Sequence, residues 1–263
     1  MKQMEMGFVD SHYKKENILK NIKSLILMYK DGRLGGEVMP EDARPSEIKE
    51  DSPENFLFLT LPMALNYQRN SYKLWESAAA AYLDEETRTV YYPKMVEEMP
   101  TEVLREKLLK HKVALQPNKH INTWQRLCSV ISEKFDGDVR NIFEKNESDV
   151  SKIREYMQVT DKKRFPYLSG HKIFNYWLHV IEDYSPISLK NRQEITIAPD
   201  THIIQGSLRL KLVSGEMNDI AQKRTIVSDA WKEALEGTNI APIDVHTPLW
   251  LWSKRGFPKI DET

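Results

Sequence analysis

The chain has 263 residues, 40% hydrophobic and 29% charged, with a formal net charge of −1 and a pI near 6.7. That length and composition suit one large domain or two interlocked smaller ones. The balance lacks the overall basic footprint that phosphate binding usually leaves. The single cysteine, Cys128, excludes an intrachain disulfide and any zinc or iron–sulfur centre held by four cysteines.

The opening MKQMEMGFVDSHYKKEN has no apolar signal-type core, and no run approaches the roughly 18 apolar residues of a membrane span. A cytoplasmic location follows as the expectation. Helical periodicity starts in ENILKNIKSLILMYK, with Ile18, Ile22, Leu25, Ile26 and Tyr29 on one face, and the Gly- and Pro-rich DGRLGGEVMPEDARP ends it. A polar linker then runs to about residue 52. Ser52-Pro53-Glu54 is a helix start signal for ENFLFLTLPMALNYQRN. The four alanines of SYKLWESAAAAYL favour a second helix and permit close packing.

Further helices are predicted for TEVLREKLLKHK, for NKHINTWQRLCSVISEKF with Cys128 as a buried apolar residue, and for two short segments between Asp138 and Gln158. PYLSGHKIFNYWLHVIEDY (166–184) reads as a long apolar helix with Pro166 at its start. THIIQGSLRLKLV, EMNDIAQKRTIVSDAWKEALEG and IDVHTPLWLWSKR complete the series, and only TVYY is strand-like. The fold class is therefore all-α, with roughly ten helices and short connections. Basic residues cluster in the back half, at Asp161–Arg164, Leu189–Arg192, Arg209 with Lys211, Gln222–Arg224 and Ser253–Arg255. Such short runs are most often solvated helix faces.

One segment, IAPDTHIIQGSLRLKLV, sets Asp200 at the mouth of an amphipathic helix. As an N-cap, its side chain would accept a free backbone N–H of the first turn and sit at the positive end of the helix dipole. The segment also resembles the helix-hairpin-helix DNA glycosylases of the endonuclease III superfamily, in which a strained turn delivers a catalytic Asp ahead of such a helix. LSGHKIFNYWL is similar to the second helix of their hairpin, with Lys172 and Asn175 matching a Lys and the Asn three residues on. The resemblance is strongest to the archaeal 8-oxoguanine glycosylases and covers most of the chain from about Asn55. PMALNYQRNSYKLWESAAAAYL is similar to their segment ending in a base-contacting Trp, here Trp75, with Asn66 at a neighbouring pocket position. NIAPIDVHTPLWLWSKR is similar to a stretch in which an Asp and a Trp four residues on line the base pocket, here His246 and Trp250.

The resemblance implies a single glycosylase-like unit over 1–263, with two helical subdomains, 53–165 and 1–52 plus 166–263, flanking a cleft. It implies a monomeric base-excision enzyme acting on a DNA duplex with a damaged base, an oxidised guanine in the archaeal relatives, without metal, cofactor or membrane. The base is flipped out and held between flat apolar surfaces, Trp75 and Trp250, with Asn66, Ala198 and His246 lining the pocket. Asp200 stabilises the oxocarbenium-like sugar. Lys162, Arg164 and the turn residue Gly170 would meet the DNA backbone. In bifunctional members a neutral Lys amine forms a Schiff base. The hairpin pattern puts that amine at Lys172, whereas the archaeal pattern puts it at Phe165 and leaves Lys163 or Lys172 to substitute. The pocket Asp is His246 here, a group that donates or accepts, and the hairpin has one Gly where two are expected. Two other readings stay open: a nucleoside or nucleotide N-glycosidase of the same fold, as in queuosine salvage, and a non-catalytic DNA-binding relative. The histidines show no zinc-type spacing.

Overall fold

The computed structural model describes residues 2–35, 39–214 and 220–260. These residues are predominantly helical, and none of them forms a strand beyond an isolated bridge between Asp149 and Lys190. In chain order the helices are α1 (Lys2–Lys30), α2 (Pro53–Thr60), α3 (Ser71–Leu83), α4 (Pro93–Glu98), α5 (Thr101–Lys110) and α6 (Pro117–Phe135). They continue as α7 (Arg140–Lys145), α8 (Val150–Glu155), α9 (His171–Asp183), α10 (Thr201–Arg209), α11 (Ile220–Leu235) and α12 (His246–Lys254). The all-α expectation holds. No helix among the described residues is long and apolar enough to cross a membrane.

The chain divides into two compact units, a continuous one, Val38–Arg192, and a discontinuous one made of Met1–Glu37 and Gln193–Thr263. The continuous unit holds α2 to α9. Ser52 caps α2 as predicted, accepting from the Asn55 N–H at 3.3 Å, and Pro53 occupies its first turn. Asn70 caps α3 by accepting from the Lys73 N–H at 3.1 Å. Its core is aromatic: Phe58 packs on Trp75, Tyr82 and Tyr91, and Phe143 on Trp177. Buried polar tips find partners, Trp177 donating to Thr60 Oγ1 at 2.9 Å and Trp124 to the Val90 carbonyl at 2.8 Å. Cys128 is buried within α6, and burial pushes its thiol up.

Several sequence expectations change here. TVYY is a 3-10 turn, Arg88–Tyr91, rather than a strand, because Tyr91 turns inward and donates to the Ala78 carbonyl. The 166–184 helix begins only at His171; residues 165–170 form a turn closed by Ser169 N–H to the Phe165 carbonyl and Gly170 N–H to the Tyr167 carbonyl. The stretch before Ser52 is not a plain linker, since Pro40–Ala43 is a 3-10 turn packed against α3, with Glu41 buried. The unit boundary falls at residue 192 rather than 165, because α9 packs on α2 inside the continuous unit.

The discontinuous unit is built on α1, α10, α11 and α12. The buried stripe of α1 is Ile18, Ile22, Leu25 and Met28, whereas Tyr29 is 40% exposed. The i, i+4, i+7, i+10 row therefore faces the core, rotated from the face expected through Tyr29. These side chains meet Ile203, Trp231, Leu249 and Trp252 in one core. α10 crosses α12 closely at Gly206, where an added Cβ would lie 2.7 Å from Leu249. Trp231 donates to Ser207 Oγ at 2.8 Å, and Ser207 donates to the Ile203 carbonyl. The predicted start of the α11 segment, residues 216–219, lies outside the described residues.

Candidate functional site

The residues singled out by sequence divide between the units. Ala198, Asp200, His246 and Trp250 belong to the discontinuous unit, and Asn66, Trp75, Lys162, Lys163, Arg164, Gly170 and Lys172 to the continuous one.

In the discontinuous unit, Ile195, Ile197, Ala198 and Pro199 are buried and deliver the chain to Asp200, the N-cap of α10. Its backbone is extended, and Oδ1 accepts from the Ile203 N–H at 2.9 Å. Oδ2 makes no hydrogen bond with the described residues, and the side chain is only half-buried. A carboxylate is thus fixed by one oxygen and presents the other. Two residues on, His202 packs edge-on against Trp250 at 5.6 Å and shares a 3.2 Å hydrogen bond with Ser253 Oγ. Trp250 is half-buried, with the Lys254 ammonium 4.6 Å from its ring centre. His246 opens α12 one turn before Trp250 and is buried, so both lie on one helix face. α10 and α12 therefore bring the His202 imidazole, the Ser253 hydroxyl and the Trp250 indole together. His202 is not among the residues expected from the sequence to line a pocket.

The continuous unit treats its predicted residues differently. Trp75 is fully buried, its ring 5.7 Å from Phe58, so it is a core side chain with no open face for a base. Asn66 follows a 3-10 turn and donates to Ser71 Oγ at 3.0 Å. Phe165, where the resemblance would place a Schiff-base lysine, is fully buried against Tyr156. Lys162 and Lys163 are exposed, and Arg164 pairs with Glu133 at 2.7 Å. Lys172 is exposed in the first turn of α9. Gly170 caps α9 at a φ of −68°, which any residue adopts; the tight spot there is the Tyr167 carbonyl, 3.0 Å from where a Cβ would sit. Tyr167 itself takes the left-handed conformation at φ 61°, a region that glycine adopts most readily.

Two polar clusters of this unit carried no signal in the sequence. Glu41 lies in the Pro40–Ala43 turn and is 1% exposed; burial pushes its carboxyl up to about 7, opposed by a hydrogen bond from Tyr176 at 3.2 Å. Glu41 Oε1 and the neighbouring Trp75 indole N–H have no well-aligned partner. A short turn offers no periodic pattern from which such burial could be read. In the second cluster, Tyr67 stacks on Tyr167 at 4.1 Å and meets His120 edge-on at 5.5 Å. His120 Nδ1 accepts from the Leu115 N–H, so the neutral ring carries its proton on Nε2, and burial lowers its pKa to about 4. His120 Nε2, the Tyr67 hydroxyl and Arg69 Nε are all buried without a well-aligned partner.

No group of three or more His, Cys, Asp or Glu residues among those described is placed to hold a metal ion. No protein-family model matches the chain, and no curated protein is significantly similar to it.

Proposed function

We propose that the protein is an N-glycosidase of the DNA-glycosylase kind, releasing a damaged base from DNA with Asp200 as its essential carboxylate. The observation that carries this reading is the half-held state of Asp200. Oδ1 is anchored by the α10 backbone while Oδ2 is presented, which is the form a group needs to stabilise an oxocarbenium-like sugar at a fixed position. His202 of α10 packs on Trp250 of α12 in the same unit, and together they offer a polar and a flat surface. Base pockets combine these two kinds of surface. Of the two predicted aromatic faces, only Trp250 retains exposure, so the proposed pocket is one-sided in tryptophan. Phe165 in the core removes the archaeal-type amine, which makes hydrolysis without a Schiff base the expected chemistry.

The test is base release from duplexes carrying oxidised, deaminated and alkylated bases. Asp200→Asn is expected to abolish release, and borohydride is expected to trap no covalent adduct. Full release by Asp200→Asn would sink the assignment. The near-neutral charge of −1 favours a second reading, a nucleoside or nucleotide N-glycosidase. It predicts turnover of small substrates and binding that loses little as salt rises, unlike a duplex-binding enzyme.

A further inference from the structure

The discontinuous unit contains a concavity of about 620 Å³ that the base-release reading does not use. Its floor is apolar, formed by Ile18, Leu210, Trp252 and Ile260, and its rim carries Arg209, Lys211, Lys259, Asn17 and Asn21. Among the described residues, no acidic side chain lines it. None of the three cations forms an ion pair with the described residues.

The wall is built rather than incidental. Trp252 donates its indole N–H to the Pro258 carbonyl at 2.7 Å, which folds the chain after α12 back over the unit. Phe257 takes a left-handed φ of 63°, uncommon for a bulky residue, and sets its ring 4.8 Å from Trp252. The Arg209 guanidinium sits 5.9 Å from the Phe257 ring centre. Lys211 is also left-handed, at φ 57°, a position after a helix where glycine is favoured. Cations at the end of a helix complement its dipole, which accounts for Arg209 and Lys211 singly. It does not account for Lys259 converging from another segment, or for an apolar floor between them.

We propose that this concavity binds a phosphate-bearing nucleoside unit. Three unpaired cations suit a phosphate dianion. The amides of Asn17 and Asn21, one turn apart on α1, each offer a donor and an acceptor, the combination that pairs with a heterocycle edge. The apolar floor and the Phe257 ring suit the flat face of a base. The volume lies within the range of small-ligand sites, about 300 to 1,000 Å³. Asp200 stands at the opposite end of α10, roughly 13 Å along a nine-residue helix. The pocket is therefore separate from the proposed base-release site and does not depend on it. Free nucleotides and the phosphorylated end of a nucleic-acid strand share this chemistry.

Calorimetric titration of the full chain with adenosine, guanosine and cytidine 5′-monophosphates, their nucleosides and inorganic phosphate tests the proposal. At least one monophosphate is expected to bind at least tenfold more tightly than both its nucleoside and phosphate alone. The exposed pair Arg209→Gln/Lys211→Gln is expected to weaken it at least tenfold while the cooperative thermal transition is retained. No saturable binding of any monophosphate at millimolar concentration, phosphate alone binding as tightly, or undiminished affinity in the double variant would each overturn the proposal. A 5′-phosphorylated oligonucleotide binding more tightly than the mononucleotide supports the proposal with a strand end as ligand, and the reverse order supports it with a free nucleotide. Nucleotide binding retained by Asp200→Asn, with base release retained by Arg209→Gln/Lys211→Gln, keeps the fate of this pocket distinguishable from that of the base-release reading.

Discussion

Asp200 caps α10 and is the proposed catalytic carboxylate, two roles that substitution can separate. Asn is as good an N-cap as Asp, so Asp200→Asn keeps the Ile203 hydrogen bond and should change stability little while removing any catalysis. Asp200→Ala loses the cap as well and should cost about 1 kcal/mol, read as a fall in the denaturation midpoint. Glu41 predicts a different dependence. Its folded-state pKa, raised to about 7, means the folded protein holds a proton that the unfolded chain releases above pH 4.5. The stability tied to that proton is present below pH 4.5 and is lost as pH rises through about 7, by up to ~3 kcal/mol. Glu41→Gln should therefore raise the melting temperature relative to the parent at pH 8 and hardly at all at pH 4. An equal difference at both would show that the buried carboxyl carries no such penalty. His120 runs the other way: with its pKa lowered to about 4, its contribution is intact above pH 6.5 and declines as pH falls through 4. Its ring resonances should stay those of the neutral form until about pH 4 in an NMR titration.

At the scale of elements, the α10–α12 crossing is the most exacting contact of the proposed site. Gly206 lets the two helices approach, and a Cβ there would press within 2.7 Å of Leu249. Alanine favours a helix by about 1 kcal/mol over glycine. Overpacking costs about 1–3 kcal/mol, so Gly206→Ala should be net destabilising. Combining it with Leu249→Ala should give a smaller loss than the sum of the two single changes, a double-mutant cycle that measures the clash directly. Additive losses would mean that the helices shift freely. The helices themselves were largely legible, because Ser52 and Asp200 carry their capping chemistry in their own side chains and α3 spans the residues its pattern indicated. What could not be read was where chain meets chain. Whether Tyr91 turns inward to reach Ala78, or Phe165 fills a core instead of a lysine site, depends on partners far away in sequence. The burial of Trp75 was hidden for the same reason. A tryptophan on an apolar helix face reads alike whether it meets a base or Phe58.

At the scale of the whole molecule, the continuous unit has its own aromatic core and its own caps, so Val38–Arg192 made alone should unfold in one cooperative urea transition. The discontinuous unit has no such independence. Deleting α1 strips Ile18, Ile22, Leu25 and Met28 from the core shared with Trp231 and Leu249. Hydrogen exchange should then show α10 and α12 deprotected while α2, α6 and α9 stay protected. Protection of α10 in that truncated chain would show that α1 is dispensable.

The placement of α1 also sets an order of events during synthesis. Its apolar stripe leaves the ribosome before the continuous unit, yet its partners lie beyond residue 193 and are made after that unit. At about 5–20 residues per second, that stripe waits unpartnered through the synthesis of the entire intervening unit. A helix made before the continuous unit thus finds its place only after that unit is complete, and the nascent chain presents a sticky amphipathic segment that a chaperone has time to hold.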